Sequence, residues 1–231
     1  MQKFDTKQLN DVVNEDYEKI KGDAGGNNAD YIPFLAKVPS KLFGISVCLP
    51  DGEIVEAGDT DYVFGIESVS KVPTAILAMQ QYGADTILQK IGADATGLPF
   101  NSIMAILLEN DHPSTPLVGS PLVLQDELYK SESATNFNNR SIAWLLKNYN
   151  RIYDDPDMSL DIYTRQCSMG VTARQLSICG GTIANRGVNP VTKKKVFDAE
   201  LTSKIVAMIA SVGFYEHTGD WIFTSGIPAK T

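Results

Sequence analysis

Apolar residues near the start of the chain recur at helical spacing. Leu9, Val12, Val13, Tyr17 and Ile20 share one face, and residues 22–28, rich in Gly and Asn, end the pattern. A helix over 4–21 and a loop are predicted. The period then drops to two: Phe43, Ile45, Val47 and Leu49 alternate with smaller residues, Asp51-Gly52 supplies a turn, and 54–57 resume, which is a β-hairpin. Residues 62–66 read as a third strand. Helical spacing returns with Val72, Ala75, Ile76, Met79 and Tyr82, where Pro73 is tolerated in the first turn and Gly83 closes the segment. Further helices are predicted at 102–109, 139–148, 159–168, 172–185 and 199–212, and Trp221, Phe223 and 225–227 suggest a returning strand. Strands first, helices in the middle and a strand last predict one α+β domain over 1–231. Its antiparallel sheet would come from about 40–66 and 219–231, and its helical lobe from about 68–213.

Composition narrows the function classes. A chain of 231 residues with 43% hydrophobic and 21% charged residues can bury a sizeable core. Its formal charge of -8 argues against a nucleic-acid or anionic-membrane surface, each of which needs clustered Lys and Arg. The basic run Lys193-Lys194-Lys195 reads as a solvated loop. Cys48, Cys167 and Cys179 form no Cys-x-x-Cys pair and read as small apolar residues of a protein in a reducing, cytoplasmic compartment. His112 and His217 have no second ligand at metal spacing, and no phosphate-cradling glycine motif occurs. Chemistry without a metal or cofactor is the enzymatic route that these observations leave.

One pair fits such chemistry. In Glu67-Ser68-Val69-Ser70-Lys71, Ser68 and Lys71 lie three apart where a strand passes into a helix, so their side chains share a face. A serine hydroxyl is a weak nucleophile until a base takes its proton, and a lysine amine can do so once burial lowers its pKa. A lone Ser-x-x-Lys is of roughly chance frequency in a chain of this size. By spacing alone it is equally an exposed helix start.

Several other segments fit with this pair: 29–33 with Leu35-Ala36, Asp51-Gly52, Gly58-Asp59, 64–71, 97–102, Ser131-Glu132 followed by Asn139-Arg140, 161–168, 213–215 and 226–231. Taken jointly they resemble the serine-dependent glutaminases, cytosolic amidohydrolases with the fold of serine β-lactamases and penicillin-binding proteins. The resemblance implies Ser68 as nucleophile, Lys71 as its base, and Tyr215 and Tyr163 as active-site phenols. It implies that Tyr31, Glu132 and Asn139 grip the α-amino and α-carboxylate groups of L-glutamine, and that the protein is a homo-oligomer. The residue types suit a zwitterion, since Glu132 can accept from an ammonium and Asn139 can donate to a carboxylate. Glu67 stands where many relatives carry glutamine. It either repels the substrate carboxylate or adds to ammonium binding.

The chain also departs from the family. After 112–118 the family continues with Asn-Ala-Gly-Ala, and here Gly119-Ser120-Pro121 follows directly. The sequence ends at Thr231, before the glycine of the Lys-Thr-Gly motif and the strand behind it, which donates an oxyanion-hole N–H worth roughly 3–4 kcal/mol. These departures predict an incomplete sheet and reduced activity. Three readings stand beside the hydrolase: an inactive glutaminase-derived form that associates with full-length subunits, a penicillin-interacting acyl-serine hydrolase, and a glutamine-binding module.

Overall fold

The computed structural model describes residues 5–93 and 123–231. The first helix, α1 (Thr6–Ile20), starts where Asp5 accepts hydrogen bonds from the Lys7 and Gln8 N–H groups. It packs on a hairpin of β1 (Gly44–Cys48) and β2 (Ile54–Gly58), whose antiparallel register pairs Gly44 with Gly58 and Cys48 with Ile54. Val13, Val55 and Ala57 form the buried centre of this layer, with Leu9, Tyr17, Ile45 and Val47 around them. The hairpin and first helix follow the residue periodicity directly.

The strand expected over 62–66 shortens to β3 (Phe64–Gly65) and leaves the hairpin for a second sheet. There it pairs with β5 (Met169–Val171), whose other edge takes β4 (Val123–Leu124); both pairings are antiparallel. A turn at Gly58, with φ +76°, swings the chain away from the hairpin before β3 begins. Gly65 permits a close approach: a Cβ there would meet Leu128 Cδ2 at 2.4 Å. Gly65→Ala is expected to cost roughly 1–3 kcal/mol, read as a lower midpoint in urea unfolding at unchanged slope.

The helical lobe comprises α2 (Lys71–Tyr82), α3 (Ala84–Ile91), α4 (Asp126–Thr135), α5 (Phe137–Asn148), α6 (Pro156–Cys167), α7 (Ala173–Ala184), α8 (Thr202–Val212) and α9 (Thr218–Ser225). Two starts are capped strongly. Asp155 accepts from the Met158 N–H ahead of Pro156, and Thr172 with Gln175 forms a capping box. Ala75, Ile76, Met79, Ile87, Phe197, Leu201 and Ile205 make the larger core cluster, joining α2, α3 and α8. The helix expected over 102–109 lies outside the described residues.

The C-terminal expectation is corrected. The strand expected to return at 221–227, within the sheet segment 219–231, is absent: 218–225 form a helix, and 226–231 are not strand either. Trp221 stacks on Phe214 with ring centroids 5.1 Å apart, the Thr224 and Ser225 hydroxyls bond back to the Asp220 and Trp221 carbonyls, and Gly226 at φ +73° ends the helix. The alternation of Trp221 and Phe223 spans too few residues to specify a strand. Among the described residues, then, the sheet structure is a hairpin and a separate three-stranded sheet, with no contribution from 219–231.

Candidate active site

The three-stranded sheet assembles the site. On one edge of β5, the Ile66 N–H donates to Met169 O at 2.8 Å, and the chain runs straight from β3 into Glu67 and Ser68. On the other edge, the Gln125 N–H donates to Ser168 O at 2.9 Å, and the chain runs into α4, which carries Glu132. Directly before β5 lies the end of α6, with Tyr163 and Cys167 one turn apart on one face. Three distant stretches of sequence therefore converge on one strand of three residues. Ser131 Oγ accepts from the Phe34 N–H at 3.0 Å and draws in the loop that carries Tyr31.

Ser68 sits in the 3-10 turn Glu67–Ser70 that opens α2. The Lys71 ammonium donates to Ser68 Oγ at 3.0 Å, and the Tyr163 ring faces Lys71 Nζ at 5.4 Å from its centroid. Burial pushes the Lys71 pKa down, opposed by the negative charges that Cys167, Glu132 and Glu67 can carry. Burial raises the Tyr215 phenol, while a hydrogen bond with Ser68 lowers it. The Tyr215 hydroxyl donates to Thr231 O at 3.0 Å. Glu67 and Tyr215 have φ of +46° and +52°. Backbone strain of that kind, of order 1–3 kcal/mol per residue, collects at functional sites.

A buried acidic group adjoins the pair. Glu67, Glu132 and Cys167 each place a carboxylate or thiol atom within 4.8 Å of the others. Glu132 is only 6% exposed and accepts from Ser168 Oγ at 3.4 Å. Burial first, then Glu67, raises Glu132 to about 8; burial raises Glu67 to about 7 against the pull of Lys71. Burial also pushes Cys167 up to about 12, so its thiol keeps its proton and the group offers a cation two carboxylates. The Tyr31 phenol, though largely exposed, feels Glu67 and Glu132 and is raised by burial first. Tyr163 is raised well above the ordinary phenol by burial and by its hydrogen bond with Cys167.

Of the residues singled out in the sequence, Ser68, Lys71, Tyr163 and Tyr215 come together, and Glu67, Glu132 and Tyr31 border them. Asn139 lies half-buried in the first turn of α5, three residues after its cap position Asn136. Asn136 Nδ2 donates to Thr164 Oγ1 at 3.3 Å and fastens α5 to the α6 helix.

Two residues join the site that sequence reasoning passed over. Cys167, expected to be only a small apolar filler, stands in the acidic group; its spacing of four from Tyr163 was the available signal. Lys230 lies over the Tyr215 ring at 4.3 Å, and burial first, then Lys71, lowers it to about 7. Gly213 makes room for this terminal segment, since a Cβ there would meet Ala229 O at 1.9 Å. The Thr231 N–H donates to Gly213 O at 3.3 Å. Gly213→Val is therefore expected to lift 229–231 off the site and lower kcat more than stability, checked by steady-state kinetics beside thermal melting.

Comparison with known proteins gives consistent matches. The Glutaminase family model matches residues 26–124 and 117–231. A curated Glutaminase of Bacteroides thetaiotaomicron is 67% identical over 97% of this chain and 80% of its own length. That alignment runs over 256 positions against a chain of 231 residues, so the relative carries residues with no counterpart here. A solved probable glutaminase, YbaS, superposes with a TM-score of 0.94 at 38% identity, covering 99% of this chain and 84% of the other. Mglu in its glutamate form superposes with a TM-score of 0.88 at 25% identity, covering all of this chain and 60% of the other.

Proposed function

The chain belongs to the glutaminase family, and on that premise we propose that it hydrolyses the side-chain amide of L-glutamine through a glutamyl ester on Ser68. The observation that carries this reading is the 3.0 Å contact between Lys71 Nζ and Ser68 Oγ, made by a lysine whose burial favours the neutral amine. Neutral Lys71 takes the Ser68 proton as Oγ attacks the amide carbon. The Ser68 N–H, in the 3-10 turn that opens α2, is assigned to the oxyanion that forms, beside the positive end of the helix dipole. Lys71 then returns the proton to the amide nitrogen, the C–N bond breaks, ammonia leaves and the ester remains. Water, deprotonated by the same amine, adds to the ester; the C–Oγ bond breaks, glutamate leaves and Ser68 regains its proton. The hydrogen bond linking Tyr215 to Ser68 keeps the phenol beside both transfers.

Glu132, with Glu67 and Tyr31 beside it, suits the α-ammonium, and Asn139 is assigned to the α-carboxylate. This arrangement favours an amino-acid substrate over a penicillin. The test is ammonia release from L-glutamine by the purified chain, with mass spectrometry for an adduct on Ser68. A turnover that survives Ser68→Ala unchanged overturns the reading.

Reduced activity is part of the proposal. The family model matches in two pieces that meet near Val118, and the alignment with the Bacteroides relative is longer than the chain, which supports an internal shortening. Inserting the relative's block after Val118 is expected to raise kcat/KM by roughly tenfold or more, on the scale of one restored transition-state contact; equal rates contradict it. A cytoplasmic location is supported by three free cysteines, and no described helix is long and apolar enough to cross a membrane. Association between copies is supported by exposed Phe137 and Trp144, two turns apart on one face of α5, and light scattering decides it.

A further inference from the structure

Glu67 has a consequence that depends on the proposed glutamine reading. Its half-buried carboxylate lies beside that of buried Glu132, with the two acids and the Cys167 thiol within 4.8 Å of one another. Glu67 Oε1 is wholly shielded and has no hydrogen-bond partner among the described residues. Such an atom is costly to leave charged unless a donor or cation meets it. The neighbours supply little compensation. From α2, Lys71 faces the pair, but its own burial favours the neutral amine. From α6 come Tyr163 and Cys167, both held in their protonated forms, and from the loop after α1 comes the Tyr31 phenol. From the turn after α8 comes the Tyr215 phenol, which feels Glu67, and from the last residues comes Lys230, lowered to about 7 and interacting with Cys167 rather than with either acid. Ser168 gives Glu132 one long hydrogen bond of 3.4 Å.

We propose that Glu67 and Glu132 hold one proton between them in the empty pocket and release it to solvent when the substrate's α-ammonium enters beside them. The ammonium then supplies the donors and the positive charge that the proton had supplied. Glu67 is in this account a specificity-determining residue. It selects ligands that carry a cationic amine, and it couples their binding to pH. The carboxyl values of about 7 and about 8 agree with a pair that still carries at least one proton at neutrality. With the proton gone, both carboxylates face the amine.

Calorimetry tests this with the Ser68→Ala chain, which binds glutamine without turning it over. L-Glutamine is titrated at about pH 7 in phosphate and in Tris, whose ionisation heats differ. The expected result is a buffer-dependent heat equivalent to roughly half to one proton released, with affinity rising by up to about tenfold per pH unit between about pH 6 and 8. Adding Glu67→Gln, which keeps shape but removes one of the two carboxylates, is expected to reduce both, since burial alone still raises Glu132. Binding with the same heat in both buffers and no pH slope overturns the inference and leaves the glutamine reading standing. No glutamine binding at any pH overturns that reading and the inference with it.

Discussion

Ser68→Ala is expected to lower ammonia release from L-glutamine by roughly 10⁴-fold or more while leaving the fold intact. The size follows from losing the nucleophile of a unit whose members act together, so that no neighbour can substitute. The fold survives because Ser68 Oγ contributes contacts to Lys71 and Tyr215 and none to the core clusters. Circular dichroism and a thermal melt indistinguishable from the parent, beside lost turnover, are the paired readouts. A collapse of the melt would mean that the hydroxyl is structural.

Glu132→Gln is expected to weaken the enzyme and strengthen the fold. The amide cannot balance the substrate ammonium, and losing a charged hydrogen bond of roughly 1.5–3 kcal/mol raises KM about 10- to 100-fold, with a smaller change in kcat. The stability change has a definite sign. Folded Glu132 keeps its proton up to about pH 8, whereas in the unfolded chain it ionises near 4.5, the ordinary value for a glutamate. Between those pH values the folded state binds more protons than the unfolded one, so this residue's contribution falls as pH rises from about 4.5 to 8 and is lowest above that window. Glu132→Gln abolishes the loss. It should melt several degrees higher than the parent at about pH 8, at roughly 2–4 °C per kcal/mol, and nearly with it at about pH 4.5. A lower melting temperature at pH 8 would show that the buried carboxylate stabilises the chain.

The helices at 6–20, 71–82, 137–148, 156–167, 173–184 and 202–212 were legible because each carries enough turns for a 3.6-residue period to show. Three elements that position the site were not: β4, β5 and α4, which carries Glu132 and has few apolar residues to show a period. β4 and β5 have two and three residues, too few for any alternation, and their pairing joins stretches about 45 residues apart. Helix α9 failed for a related reason: Trp221 and Phe223 mimic a strand, while the features that settle the matter are tertiary, the stack on Phe214 and the left-handed turn at Gly226. For the site, residue types at fixed offsets showed Ser68 and Lys71, and the family resemblance supplied Tyr163, Tyr215, Glu132 and Tyr31. The place of Cys167 in the acidic group, and the approach of Lys230 to Tyr215, depend on how α6 and the last residues pack.

Cys167 makes the decisive measurement possible, because the pocket holds two potential nucleophiles. Its thiol, pushed up to about 12, is protonated at neutral pH, whereas Ser68 has Lys71 Nζ at 3.0 Å. The chain should be treated with a glutamine analogue bearing a chloromethyl ketone in place of the side-chain amide, which alkylates the nucleophile with loss of chloride, then digested and mapped by mass spectrometry. The account predicts a single adduct on Ser68 that excess L-glutamine prevents and Ser68→Ala abolishes. An adduct on Cys167, or labelling of Ser68 that glutamine does not compete away, would contradict it.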